Sequence, residues 1–500
     1  MKYKFLNSTH EKYCYSKLEK LECLYVGNEE IKENASMFIK QNLNESRESY
    51  KDRLSNVYYR NYFAQIINYY SSCLFSKGFS VSQDSSDEFY TSFEKNCDRR
   101  GTSLQDFIQK VFLNSLVYGK SYVMYDFPKS SNPQSLLEQA VSGDLNAYLC
   151  PVKNECLINW SKDSITKDFK FCVIKNVYCE RESIDSPLDT ETQEFSVWTM
   201  ESGFAKLSTY KITYKKHNPP SDNTEIPLVS EVTTSFARIP ILCLSLGGTN
   251  SIGSMIAGPC EELFARHSTL INAQNRSLNA VRYYKMGPVV TSDDSIPSHS
   301  EDEERGKKNL QEVQDANAVV IGTNDELGYL EPNGSCYSIV DTQLKDLVDE
   351  IYRLANLSSQ SVSSSNKSVG RSGLSKVMDA STTANVLRSY GQSVRQLLSK
   401  LLEQISQARS EDVSFVVSGL DDFDMHSREL LLGYSTEINN LDIPSATFKS
   451  IYLDKMSKIV LDKLDPDTSS KISEEIKASV SLNGHEPRES FVITESNQGE

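Results

Sequence analysis

Between Ser251 and Glu411 the chain sets two amphipathic helical segments on either side of a strand-rich insert, followed by a serine-rich stretch and a third, longer helical segment. This order constrains the fold more than any single residue. It suits a long helical stalk with a loop at one end, and suits poorly the enclosure of a small-molecule pocket. From Pro259, the residues Leu263, Phe264, His267, Leu270, Ile271, Leu278 and Val281 recur at helical spacing, with Arg266, Arg276, Arg282 and Lys285 off the stripe. About 25 residues at about 1.5 Å each make a rod of about 37 Å, which Gly287-Pro288 should end. Pro288 to Pro332 holds two strand-like runs, PVVTS and AVVIGT, around the charged segment EDEERGKKN. A second helix is expected with Val340, Leu344, Leu347, Val348, Ile351, Leu354 and Ala355 on one face. Ser358 to Ser372 then contains eight serines in fifteen residues and almost nothing to bury, so it reads as a mobile exposed loop. Leu374 to Ile405 is expected as a long helix, with Gly391 midway where a kink costs little.

The first third reads as helices. Asn44 to Phe75 carries Tyr50, Leu54, Val57, Tyr58, Ile66, Ile67, Tyr70 and Leu74 at broadly helical spacing and stops at Lys77-Gly78. Ser86 to Asp98 follows. Thr102 or Ser103 can then cap a helix bearing Leu104, Phe107, Ile108, Val111, Phe112 and Leu116, which ends at Gly119. Ser121 to Phe127 reads as a strand. Phe169 to Ile241 changes character: short runs rich in Val, Tyr, Phe and Thr, split by Asp/Ser/Pro stretches, predict an antiparallel meander. The two blocks together suggest one α+β domain. Beyond the long helix, Val413 to Val417 reads as a strand. The chain to Val480 reads as helical, with Ser445 an N-cap and Asp465-Pro466-Asp467 opening a last helix. Ser481 to Glu500 is polar and reads as a disordered tail.

Composition excludes several classes. Five hundred residues exceed a single core, so two to four domains are expected. A net charge of −15 disfavours tight, broad gripping of nucleic acid, which needs clustered cations, yet allows transient contacts along a repelling wall. The eleven cysteines form no CxxC pair; Cys73, Cys172 and Cys243 lie in apolar runs, as reduced thiols folded in a reducing cytoplasm do. The amino terminus lacks an apolar h-region, so no secretory signal is expected. The longest apolar stretch, Ile239 to Leu246, is too short for a bilayer. A soluble protein with no membrane partner is the expectation.

No catalytic signature stands out. Tyr118-Gly119-Lys120-Ser121 resembles the end of a phosphate-binding loop. However, Asn114 occupies the position of its first glycine, and a helix precedes it where a strand should. It reads as a helix stop. The six histidines, His10, His217, His267, His299, His426 and His485, are far apart, so no metal ligand set and no cofactor is expected. His267, on the apolar stripe, reads as a core or interface histidine. Asp421-Asp422-Phe423-Asp424 lacks the glycine and glutamate of a calcium loop and reads as a strand exit. Lys367, Arg371 and Lys376 set three cations in or beside the serine-rich loop, where they can touch a phosphate backbone without reading bases. The same residues suit an ordinary surface loop equally well.

Several segments in order resemble the portal proteins of tailed bacteriophages. They are the Tyr50-x-x-Arg53 helix running to Leu74-Phe75-Ser76-Lys77, Asp98-Arg-Arg-Gly-Thr-Ser-Leu, and Tyr118-Gly119-Lys120 to Asp126-Phe127-Pro128. Leu157-Ile-Asn-Trp160, Arg238-Ile-Pro240, Arg371-Ser-Gly373, Phe423-Asp424 and Ile443-Pro444-Ser445 follow. The resemblance spans most of residues 45 to 480. It implies an α+β, predominantly helical fold of wing, stem, clip and crown, assembled as a ring of usually twelve subunits. The implied divisions are a wing at 1–250, a first stem helix at 251–286, a clip at 287–337 and a second stem helix at 338–357. A channel loop follows at 358–373, then a long kinked helix and strand returning to the wing at 374–419, a helical crown at 420–480 and a tail at 481–500. Ser363, Asn366, Lys367, Arg371 and Lys376 would then face double-stranded DNA. This serine-heavy loop lacks the bulky residues that a strong mechanical grip needs. The resemblance also implies a non-enzymatic virion protein at one capsid vertex, assembled in the host cytoplasm. Its partners would be the major capsid protein, a terminase that supplies the ATPase, and head–tail adaptor or tail proteins. A head–tail adaptor ring is the nearest alternative, although adaptors are shorter. A cytoplasmic α+β enzyme is a more distant one.

Overall fold

The helix at Leu104–Tyr118 shows how local sequence sets local structure. Ser103 is its N-cap, its hydroxyl accepting from the Asp106 N–H at 3.1 Å. Leu104, Phe107, Ile108, Val111, Phe112 and Leu116 form one buried stripe. Gly119 ends the helix in the left-handed region (φ 83°), a conformation glycine adopts without a Cβ clash. The computed structural model to which this helix belongs describes residues 1–43, 45–84, 88–128, 146–179, 190–246, 251–278, 281–285, 326–330, 335–357, 373–421, 423, 445–460, 471–476 and 478. The chain divides into two units, Met1–Phe423 and Asp424–Glu500.

In chain order, the helices of the first unit are α1 (Tyr3–Leu6), α2 (Tyr15–Val26), α3 (Asn28–Glu33), α4 (Arg47–Ser55), α5 (Tyr62–Leu74), α6 (Glu88–Lys95), α7 (Leu104–Tyr118), α8 (Ile252–Leu278), α9 (Ser335–Leu354) and α10 (Gly373–Ala408). Its strands are β1 (Phe79–Gln83), β2 (Lys120–Asp126), β3 (Tyr148–Val152), β4 (Leu157–Lys162), β5 (Phe169–Tyr178), β6 (Thr190–Glu201), β7 (Phe204–Lys215), β8 (Leu228–Thr233), β9 (Ile241–Ser245), β10 (Val281–Lys285), β11 (Glu326–Leu330) and β12 (Phe415–Gly419). The mix of helices and sheets is α+β.

The single helix expected over residues 44–75 is two. Between α4 and α5 the chain is neither helix nor strand, burying Val57 and Tyr59, and the Tyr59 hydroxyl donates to the Leu24 carbonyl at 2.8 Å. Asn61 then caps α5, accepting from the Ala64 N–H at 2.8 Å. Val57 and Tyr59 fit an alternating pattern as well as a helical one, and packing on α2 selects the former. The Tyr50-x-x-Arg53 motif on α4 anchors the preceding loop: the buried Arg53 meets Glu45 through Nε (2.9 Å) and Nη2 (2.6 Å) and donates to the Lys40 carbonyl at 2.7 Å. Asp98-Arg-Arg-Gly-Thr is a turn in which the Asp98 carboxylate accepts from the N–H groups of Arg100 and Thr102 at 2.9 and 3.1 Å.

The expected meander is the antiparallel sheet β4-β5-β6-β7-β8, one strand longer at its start than Phe169 suggested. β6 and β7 pair in continuous register from Thr190↔Lys215 to Glu201↔Phe204 across the two-residue turn Ser202-Gly203. Under it Leu6, Ile158, Val173, Phe195 and Ile226 form a small core. A second sheet, β3-β2-β9, packs on α7.

The large core runs from α2 and α5 through α7 to α8, α9 and α10, taking in Phe63, Ile66, Phe112, Leu263, Phe264, Ile351, Val394, Leu398 and Leu401. Each such side chain contributes about 1.5–3 kcal/mol on burial. The Tyr70 hydroxyl, buried in α5, donates to the Ala355 carbonyl at 2.6 Å and so fixes the end of α9 to this core. α10 runs as one helix through Gly391. A Cβ there would collide with the backbone carbonyl of Leu420, so the glycine serves close approach. β12 follows and pairs with β1, Phe79↔Gly419 to Gln83↔Phe415, joining distant parts of the chain.

In the second unit, α11 (Ala446–Val460) starts where expected, with the Ser445 hydroxyl accepting from the Phe448 N–H at 3.2 Å. Residues 471–476 are also helical, and Ser473 reaches Asp454 at 2.5 Å.

Candidate conduit-forming hairpin

α8 and α9 form an antiparallel hairpin with one register. Arg266 Nη1 donates to Gln343 Oε1 at 3.1 Å, Tyr337 Oη reaches the Ala273 carbonyl at 3.5 Å, and beyond the helices Val281 pairs with Leu330 and Lys285 with Glu326. The β10–β11 ladder therefore lies between the two helices in the chain. At about 1.5 Å per residue, the 27 residues of α8 span about 40 Å and the 20 of α9 about 30 Å.

Three expectations are corrected here. The helix expected to reach residue 286 ends at Leu278, and Val281-Arg-Tyr-Tyr-Lys285 is strand. β-Branched and aromatic residues favour that state once a partner strand exists. The start of that helix at Ile252 lies ahead of Pro259 and next to the expected division at 251. The helix expected at 338–357 is Ser335–Leu354. The strand that partners β10 is Glu326–Leu330, which sequence reading missed; the runs PVVTS and AVVIGT lie outside the described residues.

The base of the hairpin is clamped to the N-terminal helices. Phe264 of α8 lies edge-on to Phe38 (5.8 Å) and Tyr59 (5.6 Å), and Lys20 of α2 pairs with Glu261 at 3.0 Å. His267 packs 5.5 Å from the Tyr58 ring, and its Nδ1 is buried without a hydrogen-bond partner among the described residues. Burial, reinforced by the Arg60 charge, holds its pKa below the usual histidine value. It packs between α8 and the α4–α5 segment, with that Nδ1 unsatisfied where a satisfied core or interface histidine was expected.

The solvent face is acidic. α8 and α9 carry six carboxylates against four cations. Several cations are already partnered: Lys345 with Asp341 (2.6 Å), Arg353 with Glu350 (3.7 Å) and Arg266 with Glu262 (2.5 Å). α10 is the cationic helix, with Lys376, Arg388, Arg395 and Lys400 against Asp379 and Glu403. Here too the charges are tied: Arg395 to Asp421 (3.0 Å), and Lys400 and Arg238 to the two oxygens of Asp168 (2.8 and 2.9 Å). Asp168 thereby links the β4–β5 turn, the Arg238-Ile-Pro240 segment and α10. No sequence spacing signals such a hub. Beside it, a polar groove of about 590 Å³ runs along α10, lined by Gln392, Gln396, Glu403 and Gln407 among others.

Of the channel-loop residues named from the sequence, Ser363, Asn366, Lys367 and Arg371 lie outside the described residues. For Lys376 only the backbone, in α10, is described. Asp422 and Asp424 also lie outside them. Ser121 of the Tyr118-Gly119-Lys120-Ser121 motif spends its hydroxyl in the core, donating to the Val111 carbonyl at 2.8 Å and bonding Ser115. Among the described residues no group of three His, Cys, Asp or Glu is placed to hold a metal ion, and no helix is long and apolar enough to cross a membrane.

No family model matches the chain, and no curated protein does. Solved structures do. A chain of the virion of the native gene transfer agent (GTA) particle matches at 9% identity over 87% of this chain and 98% of its own, with a TM-score of 0.36. A chain from the neck of the native GTA particle, computed with C12 symmetry, matches at 8% identity over 75% and 84%, with a TM-score of 0.31. One from the neck of the empty particle, with C6 symmetry, matches at 10% identity over the same shares, with a TM-score of 0.33. Scores this low do not establish a common fold.

Proposed function

We propose that this chain is the subunit of a phage-type portal, a ring at one capsid vertex through which double-stranded DNA is packaged and ejected. The observation that carries the reading is the α8–α9 hairpin, clamped to an α+β body at its base, with the β10–β11 ladder between its two helices in the chain. Copies of this hairpin side by side around an axis make the wall of a tube. In this reading the wing is residues 1–250 with part of α10, the stem is α8 and α9, the clip is the segment between them and the channel loop is 358–373. The ring has about twelve copies, and its partners are the capsid protein, a terminase and the adaptor or tail.

A conduit must not bind its cargo well, because each phosphate it neutralises releases counterions and adds affinity that brakes sliding. At −15 per chain, twelve copies carry −180. The acidic hairpin and the paired Arg395 and Lys400 of α10 suit that requirement, with the sparse loop cations Lys367 and Arg371 touching phosphates. Negative-stain images of the purified protein are expected to show rings with a central hole; monomers alone at every concentration and solvent tested overturn the reading. Lys367→Ala with Arg371→Ala should leave rings intact and alter packaging or retention of DNA. Loss of assembly instead removes the loop assignment.

A further inference from the structure

The Tyr118-Gly119-Lys120-Ser121 motif, which is no phosphate loop, builds a different feature. After Gly119 the chain turns into β2, whose first residue, Lys120, lies between rings: its Nζ is 4.7 Å from the centre of Trp160 and 5.7 Å from that of Tyr122. The side chain is half-buried, and burial lowers its pKa from the ordinary lysine value. It borders a recess of about 120 Å³ whose walls include Lys12, Tyr13, Lys17, Asn154 and Trp160. The N-terminus of α2, twelve residues long, opens on the same recess, and no side-chain oxygen caps it.

Three further observations suggest that a ligand is wanted. The carboxylates nearby are engaged elsewhere: Glu22 accepts from the Tyr118 hydroxyl, and Glu155 pairs with Lys153 at 3.3 Å. None of Lys12, Lys17 and Lys120 pairs with a carboxylate among the described residues. Asn154 donates through Nδ2 to the Lys120 carbonyl at 2.9 Å, while its Oδ1 is buried without a partner among the described residues. An ammonium taken part-way out of water against ring faces, with no carboxylate paired to it among the described residues, is under-compensated, as is a buried amide oxygen.

We propose that this recess binds a small oxyanion, a phosphate or a carboxylate. Its oxygens accept from Lys120 Nζ inside and from Lys12 and Lys17 at the mouth, and where the ligand is a hydrogen phosphate its O–H donates to Asn154 Oδ1. At about 120 Å³ the recess has room for one such group. This site is independent of the conduit reading.

The two tryptophans of the chain make the test direct, since Trp160 touches Lys120 and Trp198 is buried in β6. Emission of the full-length protein is titrated with inorganic phosphate, and separately with acetate as the stand-in for an acidic side chain, at ionic strength held constant with sodium chloride. A saturable change with at least one probe is expected. Lys120→Met should weaken it about tenfold or more. The double variant Lys12→Ser, Lys17→Ser, both at exposed positions, should weaken it several-fold, and it decides the matter alone if Lys120→Met does not fold. Saturation by phosphate alone points to a free ion; saturation by acetate at lower concentration points to an acidic side chain from a partner. A linear drift matching chloride, or midpoints unchanged in both variants, overturns the site.

Discussion

At the scale of single residues, the groups that matter most are polar ones held where water is scarce. Arg53 and Glu45 compensate each other inside the N-terminal block. His267 has no such partner at Nδ1 and faces the Arg60 charge, so the fold favours its neutral form. The sign follows from linkage. A base whose folded pKa lies below its unfolded value, about 6.5, binds fewer protons folded than unfolded, so stability is full above that value and falls as pH drops through it. Denaturant midpoints measured between about pH 7.5 and pH 5 should therefore decline. His267→Gln, which cannot charge, should remove part of that decline while leaving the contribution of the carboxylates. An identical pH profile for the two proteins sinks this account of the residue.

At the scale of elements, close approach decides where the long helix sits. Gly391→Ala gains about 1 kcal/mol of helix propensity but drives a methyl group into the Leu420 carbonyl. A clash with backbone costs about 1–3 kcal/mol, so a net loss of stability is expected, visible as a lower chemical midpoint. A stabilised variant shows that α10 and residue 420 do not touch. The contrast with α7 explains what sequence could and could not reveal. Ser103, Gly119 and the stripe between them are local signals, and they placed α7 within a residue of its observed ends. The alternation in β5–β8 was equally local. The break at Val57–Tyr59, the strand at Val281–Lys285 and the pairing of β1 with β12 each depend on a partner remote in the chain, and the local residues fit two states. The candidate site divides in the same way. The order helix, strands, helix was readable from periodicity. The shared register of α8 with α9, the Asp168 hub and the recess at Lys120 arise only when distant segments meet.

At the scale of the whole molecule, charge is the lever. Surface cations that pair internally, such as Lys345, Arg395 and Lys400, cannot release counterions from DNA without first breaking those pairs. The long-range field of a chain at −15 adds repulsion that salt screens over about 8 Å at physiological ionic strength. Two opposing effects of added salt follow: it weakens the few phosphate contacts that Lys367 and Arg371 supply, and it relieves the general repulsion. Affinity of the assembled protein for linear duplex DNA should therefore be weak, at or above about 10⁻⁴ M at physiological salt. Its dependence on salt should be shallow, with a slope of log K against log salt no steeper than about −3, where a protein making six to ten phosphate contacts falls by about 10³–10⁵ between 50 and 200 mM. Lys367→Ala with Arg371→Ala should flatten the slope further or reverse its sign, since repulsion alone remains. Binding curves by fluorescence anisotropy at four salt concentrations measure this directly, and a steep slope in the unmodified protein means that the wall grips DNA and is not a conduit of the kind described.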